Sequence, residues 1–202
     1  MPYFSYDDCK KRNVHPGMIV EGQFNPVPKK RPHTEDMGCN FSQLKFHGPA
    51  ASTEFEGALK MTSVPSIRDG FENLIPLGQK VIPALTPPQV SIVTISLRTQ
   101  QIEVVDDAYN QEKIKLHIHD NDGRDYAYIS ITDLGFHHYA IDQQRDAGRE
   151  RRLNDFIMKQ DRVYLRVGLS RQYAVGSRNG YWIQANGIYT FPDYLAKVRT
   201  YP

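Results

Sequence analysis

From Val90 onward, apolar and polar residues alternate in short runs, and a period of two predicts β-strands rather than helices. Val90-Ser91-Ile92-Val93-Thr94-Ile95-Ser96-Leu97-Arg98 is a β-branched run that bends at Thr99-Gln100-Gln101 and continues through Ile102-Glu103-Val104-Val105, giving one long first strand. Lys113 to His119 alternates strictly, and Asp120-Asn121-Asp122-Gly123 supplies the Asp-Gly signal of a hairpin turn into the returning strand Tyr126 to Thr132. The stretch Tyr139 to Met158 has polar and charged residues at helical spacing with no internal proline and predicts one helix, despite Gly148. Strands follow at Arg162 to Leu169 and Gly180 to Ala185.

Strand, strand, strand, helix, strand, strand is the element order of an OB-fold, a five-stranded Greek-key barrel with its helix between strands three and four. The expected fold is therefore mainly β, with an OB-like barrel over residues 89–202. Most prolines fall before it, and Thr86-Pro87-Pro88-Gln89 reads as a hinge, so residues 1–88 are expected to form a smaller loop-rich β region, a partial first OB-like unit.

Alternation also assigns faces. Ile114, Leu116 and Ile118, with Ala127, Ile129 and Ile131, are expected to point into the barrel, and Lys113, Lys115, His117, His119, Tyr126 and Tyr128 outward. On the fourth strand Val163, Leu165, Val167 and Leu169 are expected inside, and Arg162, Tyr164 and Arg166 outside. OB-folds bind oligonucleotides on the face of strands two and three and on the loops joining strands one to two and four to five. The second of those loops here runs from Arg171 to Asn179. Single-stranded nucleic acid requires cations for its phosphates and flat apolar rings for its bases. Lys113, Lys115, His117, Arg166, Arg171 and Arg178 with Tyr126, Tyr128 and Tyr173 form the expected binding set. Lys and Tyr also suit the solvent face of any antiparallel strand, so a purely structural role competes with binding.

Composition narrows the function classes. With 40% hydrophobic and 24% charged residues the chain can bury a core, which excludes disorder. Twenty-five Lys+Arg against 23 Asp+Glu leave a net charge of +2, so any polyanion site must be a local patch. Two cysteines, Cys9 and Cys39, make no disulfide framework, and the start lacks a charged segment followed by an apolar one. Both point to the cytosol. No apolar run is long enough to span a bilayer. Catalytic signals are weak. His33, Glu35 and Asp36 cluster in a proline-delimited loop, but their spacing matches no metal signature, no phosphate loop or nucleophile motif occurs, and neither a cofactor nor an enzymatic activity is expected.

The same residues resemble the dual OB-containing domain family of prokaryotes. Ile129-Ser130-Ile131-Thr132-Asp133-Leu134-Gly135-Phe136 is similar to that family's third strand and Thr-Asp turn, Val163 to Arg171 to its fourth strand, and Gly180 to Tyr189 to its closing strand. Upstream, Pro32-His33-Thr34-Glu35-Asp36 after Met18-Ile19-Val20-Glu21 resembles the end of its first OB unit. The resemblance implies two small β-barrels and a nucleic-acid role in prokaryotic defence or DNA processing, with no catalytic residues. In that family strands precede the segment at Met18, whereas few residues do so here. The Met18 to Gly22 edge is therefore an expected contact for a partner protein or a second copy, since open strand edges are otherwise a liability. The alternative to nucleic-acid binding is accordingly an assembly subunit that uses its Tyr-rich face and this edge.

Overall fold

The computed structural model describes residues 6–28, 30–142 and 148–194. In chain order its elements are α1 (Tyr6–Lys11), β1 (Met18–Glu21), β2 (Phe24–Pro26), β3 (Met37–Cys39), β4 (Lys45–Pro49), α2 (Ser52–Met61), β5 (Ser63–Val64), α3 (Ile67–Gly70) and β6 (Val81–Pro83). Then follow β7 (Ile92–Leu97), β8 (Ile102–Asp107), β9 (Asn110–His119), β10 (Asp125–Ile131), α4 (Leu134–Asp142), α5 (Arg149–Met158), β11 (Arg162–Leu169), β12 (Tyr173–Val175) and β13 (Arg178–Phe191). The protein is mainly β.

One large mixed sheet runs β5-β7-β11-β13-β10-β9-β8, with β12 and β6 also paired to β13, and this path does not return on itself as a closed barrel. Neighbours are antiparallel except β10 with β13 and β5 with β7. A 3₁₀ turn at Thr99–Gln101 separates β7 from β8, where the sequence predicts the bend. The hairpin from β9 to β10 turns at Gly123, whose φ of 81° is open to glycine without cost, and Gly123 N donates to Asp120 O at 3.0 Å.

Residues ahead of Val90 divide between two roles. β1 pairs with β4, and β2 with β3, in separate two-stranded sheets. β5 and β6 instead join the large sheet, so residues 63–83 belong structurally with the strands that follow them.

The core lies on one side of the sheet, where Leu97, Val104, Leu116, Ile129, Leu165 and Ile183 meet Phe136 of α4 and Leu153 and Ile157 of α5. Each such side chain removed from water contributes roughly 1.5–3 kcal/mol before entropy is counted. A second, smaller cluster covers the other face of β11 and β13, where Tyr164, Tyr189, Phe191 and Tyr194 pack with Leu59 and Phe55 of α2.

Three expectations are corrected here. The single helix from Tyr139 to Met158 is two: Gly148 takes φ 88°, which no helix interior admits, and residues 143–147 lie outside the described residues. Tyr164 does not face solvent, because α2 covers that face and Glu56 accepts from its hydroxyl at 3.4 Å. In β10 the alternation breaks: the register with β9 slips between Tyr126 and Ile129, so Ala127 is exposed and Tyr126 turns into the core.

Asp120 ties the hairpin to residues 66–70. Its buried carboxylate accepts from Ile67 N and from Asn121 N, both at 2.8 Å. Burial nevertheless pushes the carboxyl above its usual range. The Asp120→Ala variant is expected to lower stability by about 1–3 kcal/mol, since the N–H of Ile67 stays buried with its acceptor gone. Denaturant melts compared with wild type check this.

Candidate nucleic-acid interface

β13 carries residues to both faces of the sheet. Tyr181, Ile183 and Ala185 enter the core, so strict alternation sets Trp182 and Gln184 on the opposite face. On one edge, Gly180, Tyr181 and Trp182 pair with β6, and Gln184 and Ala185 pair in parallel with Ser130 and Ile131 of β10. Between these two partners Ile183 N donates to Lys80 O at 3.1 Å. The other edge of β13 carries β11 and then the β12 hairpin. A groove of about 500 Å³ opens over this changeover. Its floor is Trp182, Gln184 and Ser130, one margin is Lys80 with Tyr128, and the other is the loop of Arg171 and Tyr173.

The bulge in β10 builds the first margin. Tyr128 has φ 55°, an uncommon conformation for a residue with a Cβ, and it stands 52% exposed. The slip leaves the carbonyls of Ala127 and Tyr128 out of register with β9, and Lys80 Nζ donates to both at 3.0 Å. Burial, then the nearby charges of Lys115 and Arg178, hold the Lys80 ammonium below its ordinary pKa. Lys115 Nζ donates to Ser130 Oγ at 3.0 Å and lies 3.5 Å from Asp107 Oδ2.

The second margin is a hairpin clamped onto β13. Ser170 N donates to Trp182 O and Trp182 N to Ser170 Oγ, both at 2.9 Å, and the Trp182 indole N–H donates to Tyr173 O at 3.3 Å. Tyr173 remains 61% exposed. The Arg178 guanidinium sits 5.1 Å from the Trp182 ring centroid, a cation over an aromatic face. Gly180 makes room for β6, because a Cβ there would collide with Ile82 O.

Of the residues expected from the sequence, Tyr128, Arg171 and Tyr173 line this groove, with Lys115 and Arg178 held against Ser130 and Trp182 of its floor. Lys113 is exposed on β9 but does not line it. His117 stacks its edge on Tyr128 at 4.6 Å and belongs to a shallower cleft with Glu103 and Asp125. Tyr126 drops out of the set: it is 4% exposed, and burial with Asp120 nearby pushes its hydroxyl up to about 12. Arg166, half-buried on β11, does not line the groove either. Lys80 and Trp182 were missed. Trp182 was already legible as the alternate of Tyr181 and Ile183 on the last strand, whereas nothing local in Gln79-Lys80-Val81 places Lys80 beside a bulge nearly fifty residues later.

The His33-Glu35-Asp36 loop docks beside the groove. Thr34 Oγ1 donates to Gln89 O at 2.6 Å, and Glu35 Oε1 accepts from Ser91 N at 2.8 Å and Ser91 Oγ at 2.5 Å. Asp36 Oδ2 accepts from Arg171 Nη2 at 2.9 Å. Among the described residues no three His, Cys, Asp or Glu side chains gather in a way that could hold a metal ion. Burial and then Arg171 hold the His33 imidazole below its ordinary value of 6.5, against the opposing pull of Asp36 and Glu35. A depressed pKa means the docked loop adds stability above pH 6.5 and loses it as pH falls through the folded value. Histidine NMR titration is expected to place His33 below 6.5, further down in Asp36→Asn and back up in Arg171→Gln.

No family model, curated protein or solved structure matches the chain, and the functional reading rests on the residues of this groove.

Proposed function

We propose that strands β7 to β13 form an OB-like unit, open rather than closed as a barrel, and that the groove it shares with Lys80 binds single-stranded nucleic acid with little sequence preference. The fold reading is supported by the strand path. β7 and β8 are consecutive segments of one stretch bent at Thr99–Gln101, so β11 and β9 flank the two halves of a single long strand. With β10 and β13 parallel, the neighbours follow the Greek-key order of a five-stranded OB unit. The groove then lies where that fold binds oligonucleotides, over strand three and the loop from strand four to strand five.

One observation carries the functional reading: exposed Tyr128 and Tyr173 face a groove edged by Lys80, Arg171 and Arg178, in a chain whose net charge is only +2. Rings on which bases can stack and cations that can meet phosphates alternate within one depression. Serine and glutamine side chains on the floor offer donors and acceptors to any base edge, which suits low sequence preference.

Anisotropy titrations of labelled single-stranded DNA and RNA are expected to show binding at about 50 mM salt that weakens at about 200 mM. The log–log slope should be no steeper than about −2, as three cations each release roughly 0.7 of a counterion. Tyr128→Ala and Tyr173→Ala should each weaken binding by about 1–3 kcal/mol, and Arg178→Glu should flatten the salt slope. An absence of binding at the lower salt, or binding indifferent to all three variants, overturns the proposal.

A second reading, assembly through the N-terminal segment, is favoured by exposed Ile19 on β1, which β4 pairs on one side, and by exposed Phe24 and Met37 on the β2-β3 pair. A monomeric mass in solution at tens of micromolar protein removes self-assembly from it.

A further inference from the structure

We propose that the 33–36 loop is a built-in competitor for the groove: the Asp36 carboxylate holds the Arg171 guanidinium where a backbone phosphate would bind, and single-stranded nucleic acid displaces it. The inference rests on the nucleic-acid reading of the groove and deepens it by naming a contact that limits affinity.

Arg171 stands between two depressions. It lines the groove with Tyr128, Tyr173 and Trp182, and it lines a neighbouring cleft of about 340 Å³ with His33, Asp36 and Asn186. Ser170 and Gln184 are also common to both, so the two clefts adjoin, and Arg171, held by Asp36, lies on the wall of each. A carboxylate and a phosphate present the same pair of acceptor oxygens to the guanidinium fork, so the one can stand in the other's place. The ion pair is also the exposed part of the loop's attachment, with 58% of the Arg171 side chain and 35% of the Asp36 side chain open to solvent. Ion pairs so exposed are weak and yield to a competing anion. The anchors lie elsewhere, at Thr34 with Gln89 and Glu35 with Ser91, so the loop stays docked when Asp36 lets go.

The test is a cycle of Asp36→Asn, Arg171→Gln and the double variant, titrated with a single-stranded oligomer at about 50 and 200 mM salt. Asp155→Asn on α5, which does not line either cleft, controls for the loss of one negative charge. Asp36→Asn is expected to bind roughly three- to tenfold tighter than wild type at both salt concentrations with an unchanged salt slope, because Arg171 meets a phosphate in both complexes. The gain should vanish in the Arg171→Gln background, and Asp155→Asn should stay within twofold of wild type. An equal gain in the Arg171→Gln background or from Asp155→Asn, or no gain in a folded Asp36→Asn protein that binds as wild type does, overturns the competitor while leaving the groove intact. If no variant binds at the lower salt, the nucleic-acid reading falls and takes the competitor with it.

Discussion

The 14 residues of β13 carry hydrogen bonds to β12, β6, β10 and β11, and the rest of the sheet hangs on that ladder. A buried strand must satisfy its N–H and C=O groups on both edges, because an unpaired backbone group away from water costs as much as a lost hydrogen bond. β13 meets that demand by changing partners along its length: β6 gives way to β10 on one edge, and β12 gives way to β11 on the other. The groove is a consequence of the exchange. Where β6 ends and β10 begins, the bond from Ile183 N to Lys80 O carries the ladder across, and among the described residues no strand covers the face above that gap.

The bulge in β10 supplies what the gap alone would not. By inserting an extra residue it turns Tyr128 out of the sheet, and by freeing two carbonyls it creates a seat for an ammonium group. Lys80 thus serves two purposes at once, closing the backbone accounts of the bulge and placing a cation at the rim of the groove. The arrangement is mutual: without Lys80 the two carbonyls would lack a partner, and without the bulge Lys80 would have no reason to sit where desolvation and two other cations disfavour its charge.

How much of this could be read from the chain follows the range of the interactions involved. Strands β7, β8, β9, β10 and β11 were legible because period-two alternation is a local signal, and the turn at Gly123 because Asp-Gly is a local signal too. The 3₁₀ turn at Thr99–Gln101 fell where polar residues interrupt the apolar run. Failures came where distant segments decide. Tyr126 and Ala127 exchange faces because the bulge shifts the pleat by one, while Tyr128 stays outward as expected, and no residue between Asp125 and Ile131 announces it. Tyr164 obeys the alternation but loses the solvent, because α2, about a hundred residues earlier, lies over that face. β6 is three residues long and ends in proline, too short for any periodicity to show. Gly148 was visible and outweighed by the polar spacing around it, although its left-handed φ sets the start of α5 there.

The charge distribution resolves an apparent conflict between the chain's balance and a polyanion partner. A net charge of +2 gives no long-range field, yet Lys115 and Arg178 are near enough to depress Lys80, which requires three cations to share one neighbourhood. Some of these cations carry an acid of their own: Asp107 lies 3.5 Å from Lys115 and Asp36 2.9 Å from Arg171, while Glu21 pairs with Lys45 and His47 in the N-terminal sheet. Because screening confines such fields to about 10 Å at ordinary ionic strength, a ligand at the groove meets the local cations rather than the molecule's sum. A near-neutral protein can therefore present a cationic track, and on the proposed reading the Asp36 carboxylate, paired with Arg171, sets how much of it is open.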